Sequence, residues 1–166
     1  MITIKEMKVL EEQAIQQGLS ISELMENAGK AVYETVSEKY DFDGKQIVIF
    51  CGQGNNGGDG FVAARYFAEE TNVLVLFFGD KEKLSEEAEV NYNKIKDVVI
   101  EIRDKKELEE FRFQDKDYIF IDALLGTGVS GTIREPFASA INLFNSVNAV
   151  KVAVDVPSGL DADTGD

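Results

Sequence analysis

The chain of 166 residues contains no histidine and no tryptophan, and it has one cysteine and two prolines. Without histidine, neither a Ser-His-Asp triad nor a histidine-based metal site can form. Any proton transfer must therefore use Asp, Glu, Lys, Tyr or Cys side chains. The single cysteine, Cys51, excludes an internal disulfide and is typical of a reducing compartment, so we expect a cytoplasmic protein. We interpret Cys51 as a small buried residue at the end of a strand.

Basic residues are also scarce. The chain has 17 Lys and Arg but 31 Asp and Glu, which gives a net charge of −14. Non-specific nucleic-acid binding relies on clustered basic side chains, so this composition disfavours it. There is no apolar run of about 18 residues, which a membrane-spanning helix would need, and no signal-peptide pattern at Met1. The length and the 44% hydrophobic content are those of about one globular domain.

The stretch 47–67 organises the rest of the chain. Residues 47–50 are four apolar residues typical of a buried strand, and residues 52–60 contain five glycines. The helical spacing of apolar residues begins at Phe61, so we predict a strand, a tight glycine loop and a helix from Phe61. The glycines allow positive φ angles and a close approach of a ligand to the backbone. Such a turn can bind an anion through backbone N–H groups. The G-x-G-x-x-G pattern at 52–57 is weak evidence alone, but the polar residues that extend it favour a site.

Strand and helix patterns alternate along the remaining sequence. Capping boxes at Thr3 and Ser20 predict two N-terminal helices, and Pro136 suits the first position of a late helix. This alternation predicts an α/β fold with a mainly parallel sheet and helices on both faces. The other predicted strands are 72–78, 98–102, 118–121 and 150–154, and the other predicted helices are 85–96 and 104–111.

Three glycine-rich segments, 52–60, 126–136 and 157–165, each follow a predicted strand. The carboxyl ends of parallel strands share one edge of the sheet, so these segments should meet there. Their oxygen ligands suit a hard cation such as potassium, sodium or magnesium, among which the spacing does not choose. The polar residues expected at this edge are Asn55, Asn56, Asp59, Asp122, Asp155 and Ser158.

Four ordered motifs closely resemble the NAD(P)H-hydrate epimerases, the YjeF N-terminal domain family. They are Leu-Met-Glu-Asn-Ala-Gly at 24–29, Gly-Gln-Gly-Asn-Asn-Gly-Gly-Asp-Gly at 52–60 with Ala-Arg at 64–65, Asp-Ala-Leu-Leu-Gly-Thr-Gly at 122–128 and Asp-Val-Pro-Ser-Gly-Leu-Asp at 155–161. The resemblance spans the chain, and it implies a Rossmann-like three-layer sandwich, a homodimer and interconversion of the R and S forms of hydrated NADH and NADPH. It also implies one epimerase domain over 1–166 that lacks the family's C-terminal strands. Such a domain is either shortened or the front of a bifunctional protein with an ADP- or ATP-dependent hydrate dehydratase.

The same resemblance implies two sets of site residues. The implied potassium ligands are Asn56, Asp122 and Ser158. The implied substrate contacts are Asn55, Asn56, Gly57, Gly58, Asp59, Gly126, Thr127, Gly128, Val129, Ser130, Gly131, Thr132 and Asp155.

The reaction needs one group that can give and take a proton. A hydrate carries a hydroxyl on a ring carbon next to nitrogen, whose lone pair can help to expel it, and water can return from either face. We expect Asp155 to act as the general acid and base, with Asp59 as the second candidate.

Two alternatives remain open at the level of sequence. An NAD-dependent oxidoreductase would use the G-x-G-x-x-G turn, with Asp80 in the place of a ribose-binding acid. A non-enzymatic interaction scaffold would share the fold, but it would not need Asp59, Asp122 and Asp155 together.

Overall fold

A computed structural model describes residues 3–113, 117–128, 131–161 and 164–165. The described elements alternate as expected. The helices are α1 (Ile4–Gln16), α2 (Ile21–Lys39), α3 (Asn55–Ala68), α4 (Glu86–Ile95), α5 (Lys105–Leu108) and α6 (Phe137–Ser146). The strands are β1 (Lys45–Gly52), β2 (Asn72–Phe78), β3 (Val99–Ile102), β4 (Asp117–Ala123) and β5 (Val150–Ala153). Short 3₁₀ turns occupy Lys81–Lys83 and Lys96–Val98.

The strands form one sheet in the order β3-β2-β1-β4-β5, and every pairing is parallel. The prediction of an α/β fold with a mainly parallel sheet is therefore confirmed. β1 is the central strand, and residues 47–52 are buried because helices cover both faces of the sheet. The chain moves outward from β1 to β3 and then returns to β4, so the strand order reverses between β1 and β4.

Successive side chains of each strand point to opposite faces, and the two faces build two different cores. On the face covered by α2, α3 and α4, aliphatic residues such as Ile49 and Ile121 pack against Phe61 and Phe67. On the face covered by α5 and α6, an aromatic group surrounds Phe50, whose ring lies 5.2 Å from that of Phe120 and 5.3 Å from that of Phe144. Burial of these faces supplies most of the driving force for folding.

Both N-terminal helices begin at the capping boxes that the sequence predicts, with Thr3 and Ser20 as N-caps. The predicted helix 104–111 is wrong in length, because α5 ends at Leu108. The predicted strands at the end of the chain also shift slightly, since β4 includes Asp122 and β5 ends at Ala153. No helix in the described ranges is long and apolar enough to cross a membrane.

Candidate active site

The candidate site lies at the carboxyl ends of β1 and β4, where the strand order reverses. Phe50 on β1 pairs with Asp122 on β4, so the segments that follow the two strands leave the sheet side by side. This reversal point is where open α/β sheets bind their ligands. The start of α3 and residues 124–128 therefore face one crevice.

The predicted helix start at Phe61 is wrong, because α3 begins at Asn55 and includes most of the expected glycine loop. None of the glycines in 52–60 has a positive φ angle. Instead, a Cβ on Gly57 would lie 1.8 Å from the Gly52 carbonyl oxygen, and a Cβ on Gly58 would lie 2.5 Å from Met25 Cε. These glycines let α3 approach the end of β1 and helix α2 closely, which overrides their poor helix propensity.

The amino end of α3 presents backbone donors to the crevice. Gly54 is its N-cap and offers no side chain, and the first helical hydrogen bond there is donated by Gly58 N–H to Gly54 O at 3.1 Å. The N–H groups of Asn55, Asn56 and Gly57 precede that bond, so they lack a partner within the helix. Together with the helix dipole they favour an anion such as a phosphate.

Asp122 anchors the loop after β5 to the end of β4. Its carboxylate is 5% exposed. Oδ2 accepts the Ser158 N–H at 2.7 Å, and Oδ1 accepts the Ser158 hydroxyl at 2.6 Å and the Leu124 N–H at 3.1 Å. Three donors satisfy this buried carboxylate, as a buried charge requires.

The main chain of Leu125 joins Ser158 to Asn56. Its N–H donates to Ser158 Oγ at 2.9 Å, and its carbonyl accepts Asn56 Nδ2 at 3.1 Å. The other amide atom, Asn56 Oδ1, is buried and has no hydrogen-bond partner. The structure therefore brings Asn56, Asp122 and Ser158 into one cluster, with one amide oxygen unsatisfied.

This cluster fits a hard cation. The atoms that the cluster offers to a ligand are oxygens, which hard cations prefer. A buried amide oxygen without a partner costs free energy unless a ligand binds it. Across the described ranges, no three His, Cys, Asp or Glu side chains lie close enough together to hold a metal ion. A cation here would consequently depend on the Asn56 amide, the Ser158 hydroxyl and the Leu125 carbonyl as well as on Asp122.

Two more carboxylates, Asp59 on α3 and Asp155 after β5, lie near this cluster and within electrostatic range of each other. Asp155 is exposed, its Oδ2 accepts the Thr127 N–H at 3.0 Å, and a Cβ on Gly126 would lie 3.0 Å from the same atom. Asp59 is half-buried and accepts no hydrogen bond from any residue in the described part of the chain. Burial, then the Asp155 carboxylate, then the Glu11 carboxylate raise the pKa of Asp59 to about 7. Asp59 can therefore hold a proton near neutral pH.

Four of the remaining predicted contacts are exposed on the segments that follow β1 and β4. Asn55 is exposed at the first turn of α3, and Gly128, Gly131 and Thr132 are exposed on the segment between β4 and α6. Gly131 has a φ of 85°, which suits glycine. Val129 and Ser130 lie outside the described residues.

The sequence analysis did not identify three contributors to this region. The first is the Leu125 main chain, which leaves no signal in side-chain chemistry. The second is Glu11 on α1. It interrupts the apolar stripe that contains Met7 and Ala14, and a carboxylate at that position could have been recognised from the sequence.

The third missed contributor is a polar cluster that joins α2 to α3. Glu26 accepts hydrogen bonds from Arg65 and from the Tyr66 hydroxyl at 2.6 Å. The Arg65 guanidinium also lies 5.0 Å from the centre of the Tyr66 ring. Glu26 and Arg65 both belong to the family-like motifs, so pairing them across α2 and α3 was a possible inference.

Asp80, the ribose-binding acid of the oxidoreductase alternative, has a local role. Its carboxylate accepts the Glu82 N–H at 3.1 Å and lies 3.5 Å from Lys83 Nζ, so it caps the 3₁₀ turn. Its N–H donates to Gln53 Oε1 at 3.1 Å. These contacts account for Asp80 without a nucleotide.

Comparison with known proteins agrees with this arrangement. The chain is 41% identical to an NAD(P)H-hydrate epimerase of Nitrosopumilus maritimus, over 99% of this chain and 77% of that protein. It is 38% identical to a bifunctional NAD(P)H-hydrate repair enzyme of Methanocaldococcus jannaschii, of which it covers 34%. The crystal structure of the yeast protein ynu0 superposes with a TM-score of 0.81 at 25% identity, over 96% of this chain and 71% of that one. The family model for the YjeF-related protein N-terminus matches residues 21–166, and the chain belongs to this family.

Proposed function

We propose that the protein is an NAD(P)H-hydrate epimerase, which interconverts the R and S forms of hydrated NADH and NADPH in cofactor repair. The observation that carries this proposal is the identity of 41% to a named epimerase over nearly the whole chain. The site supports it, since an anion-binding helix start, a polar oxygen cluster and a pair of carboxylates meet at the reversal of strand order. A non-enzymatic scaffold would not need the half-buried Asp59 within electrostatic range of Asp155.

The dinucleotide would bind across the amino end of α3. Its phosphates would take the unpaired N–H groups of Asn55, Asn56 and Gly57. The damaged ring would extend toward the loop after β4, where the Thr127 N–H orients Asp155. The full set of proposed substrate contacts is Asn55, Asn56, Gly57, Gly58, Asp59, Gly126, Thr127, Gly128, Val129, Ser130, Gly131, Thr132 and Asp155.

The chemistry requires one C–O bond to break and another to form at the same carbon. As the ring nitrogen donates its lone pair, the C–O electrons leave with the oxygen, and a carboxylic acid supplies the proton that makes the leaving group water. When water attacks the resulting iminium from the opposite face, a carboxylate accepts the surplus proton. We assign this exchange to Asp155. Burial and the nearby Asp155 carboxylate raise the pKa of Asp59 to about 7, so Asp59 can hold a proton near neutral pH within the same site.

Potassium is the cation that we propose for the oxygen cluster, held by Asn56, Asp122 and Ser158. When bound, it supplies a positive charge that holds the loop ends together and screens the phosphates. Asn56 Oδ1, buried and without a partner, supports this assignment. Asp122 and Ser158 already fix the geometry of the cluster through their own hydrogen bonds.

The proposed biological setting follows from the reaction. The protein would act in the cytoplasm as a homodimer, and a hydrate dehydratase driven by ADP or ATP would consume the epimer that it produces. The buried free thiol of Cys51 fits a reducing compartment. The bifunctional repair enzymes among its relatives fit a close coupling of two activities.

The test uses a mixture of the two NADPH hydrate epimers and a dehydratase that accepts only one of them. Without the protein, recovery of NADPH should stall once the accepted epimer is consumed. With it, all the hydrate should return to NADPH, as the absorbance of the reduced ring reports. If recovery still stalls while the dehydratase remains active, the proposed function is wrong.

The same assay tests the carboxylates. Asp155→Asn keeps the size and the acceptor for Thr127 but removes the exchangeable proton, so kcat should fall by about 100-fold or more. Asp80→Asn is the matched control, because Asp80 lies at the same edge of the sheet and only caps a turn. Full activity in Asp155→Asn would overturn the assignment and transfer the role to Asp59.

Potassium is tested by replacing it with lithium and by Asp122→Asn. Lithium is too small to satisfy the same oxygen atoms, so the KM for the hydrate should rise with little change in fold. Asp122→Asn should abolish the difference between the two salts. Equal kinetics of the unaltered protein in both salts would remove potassium from the account.

A further inference from the structure

Helix α1 is unusual because none of its residues is buried. Only Ile4 and Ala14 are half-covered, whereas Met7 is 45% exposed and Leu10 is 50% exposed. A helix whose apolar stripe stays open contributes little to the folded core. Its position relative to the site therefore suggests another role.

The topology places α1 at the edge of the sheet that carries the site. Helix α2 runs parallel to α3, because Met25 contacts Gly58, Gly29 contacts Val62 and Tyr33 stacks on Tyr66. The amino end of α2 is consequently beside the amino end of α3. Since α1 connects to that end through a short turn at 17–20, the carboxyl end of α1 lies next to the crevice.

The face that α1 turns toward the body of the protein carries a carboxylate. Residues seven and three positions apart share a helix face, so Glu11 lies between Ile4 and Ala14, the two half-covered residues. The Glu11 side chain is exposed and is close enough to act electrostatically on Asp59, which belongs to α3. Glu11 therefore lies on the half-covered face of α1, within electrostatic range of Asp59, with Met7 one turn before it on the same face.

We propose that α1 is a wall of the substrate site and that Glu11 is a further substrate-binding residue. It accepts hydrogen bonds from neutral donors at the nicotinamide end, such as the carboxamide NH₂ or the ring hydroxyl. Met7 and Leu10 cover the apolar face of the ring. This inference rests on the proposed function, because it identifies the contacts of the same substrate. It also explains why the largely exposed apolar stripe of α1 is interrupted by a carboxylate.

The test compares Glu11→Gln and Glu11→Ala with the control Glu12→Gln. Glu12 lies next to Glu11 in sequence but about 100° around the helix, so it points away from the crevice. Both Glu11 variants should raise the KM for the hydrate and the Kd for NADPH by about 10-fold, the loss expected for a hydrogen bond to a charged group. The alanine variant should lose more than the glutamine variant, which retains one acceptor. Glu12→Gln should leave KM, Kd and Tm unchanged.

The outcomes separate this inference from the proposed function. Glu11 variants with unchanged KM and Kd, in a protein that still equilibrates the epimers, overturn the role of Glu11 alone. A Met7→Ser variant with normal Tm and weaker NADPH binding supports the wall, and normal binding in that variant argues against it. A protein that binds NADPH through Glu11 but does not equilibrate the epimers supports the wall and overturns the epimerase.

Discussion

Replacement of Gly57 by alanine should separate the packing role of the glycine motif from a ligand-binding role. The added Cβ would lie 1.8 Å from the Gly52 carbonyl oxygen and 2.7 Å from its carbonyl carbon. Both neighbours are backbone atoms at the end of the central strand, so neither can rotate away. The start of α3 would have to move by about 1.5 Å to restore ordinary contact distances.

The cost of this movement can be set against the gain in helix propensity. Overpacking of a well-packed interior costs about 1–3 kcal/mol. A clash of the new Cβ with fixed backbone atoms should cost an amount at or above the upper end of that range. Alanine is favoured over glycine in a helix by about 1 kcal/mol. We therefore expect a net loss of about 2–3 kcal/mol in the free energy of unfolding. For a domain of this size, such a loss lowers Tm by roughly 5–10 °C.

Activity should suffer more than stability. Gly57 follows Asn56 directly, so a shift of the helix start displaces the Asn56 amide from the Leu125 carbonyl, and a misplacement of about 1 Å can cost 100-fold in rate. Thermal unfolding followed by circular dichroism measures the stability, and the epimer assay measures the rate.

Gly54→Ala is the matched control for Gly57→Ala. It lies in the same motif with nothing within 4 Å of its Cβ position, and only the weaker N-cap should cost up to about 1 kcal/mol. Equal losses in the two variants would refute the packing argument.

Three further outcomes follow from the structure. The pKa of Asp59 is raised to about 7, so its contribution to folding is fully present below about pH 4 and is lost as the pH rises through 7. Asp59→Asn should accordingly raise Tm at pH 8 and leave it unchanged at pH 4, and a shift of equal size at both values would contradict that titration. Glu26→Ala leaves Arg65 and Tyr66 without their shared acceptor. A double-mutant cycle of Glu26→Ala with Arg65→Ala should give a coupling free energy of about 1 kcal/mol, since the pair is partly exposed. A coupling of zero would show that this ion pair does not stabilise the fold. Cys51 is fully buried and its thiol pKa is raised mainly by that burial, so a thiol reagent should modify it only after denaturant is added.

The predictable part of the fold is the part that local pattern determines. The run Asn72–Phe78 is predicted with the bounds observed for β2, because the six apolar residues that follow Asn72 suit a strand covered on both faces. The start of α3 could not be predicted in this way. Asn, Gly and Asp are poor helix formers, and the approach of Gly57 to Gly52, which makes them helical, is a tertiary contact.

The same division applies to the candidate site. Asn56, Asp122 and Ser158 lie at or just after the carboxyl ends of β1, β4 and β5, and their place at one edge of the sheet is enough to predict that they meet. Their partners were not predictable, since Leu125 acts through its main chain. The orientation of the Asn56 amide, which donates through Nδ2 and leaves Oδ1 without a partner, is likewise not encoded in a sequence pattern. The influence of Glu11 on Asp59 depends on the path of α1, which no strand pattern determines.

Leu125 has a consequence for how variation at this site should be read. Its two main-chain groups hold Asn56 and Ser158 in place, and every amino acid except proline offers the same N–H and carbonyl. Saturation mutagenesis would therefore rank position 125 by the fit of its side chain against the aromatic core, and only proline would report the polar role. A position that joins two members of the oxygen cluster would therefore look like an ordinary packing residue in any comparison of sequences.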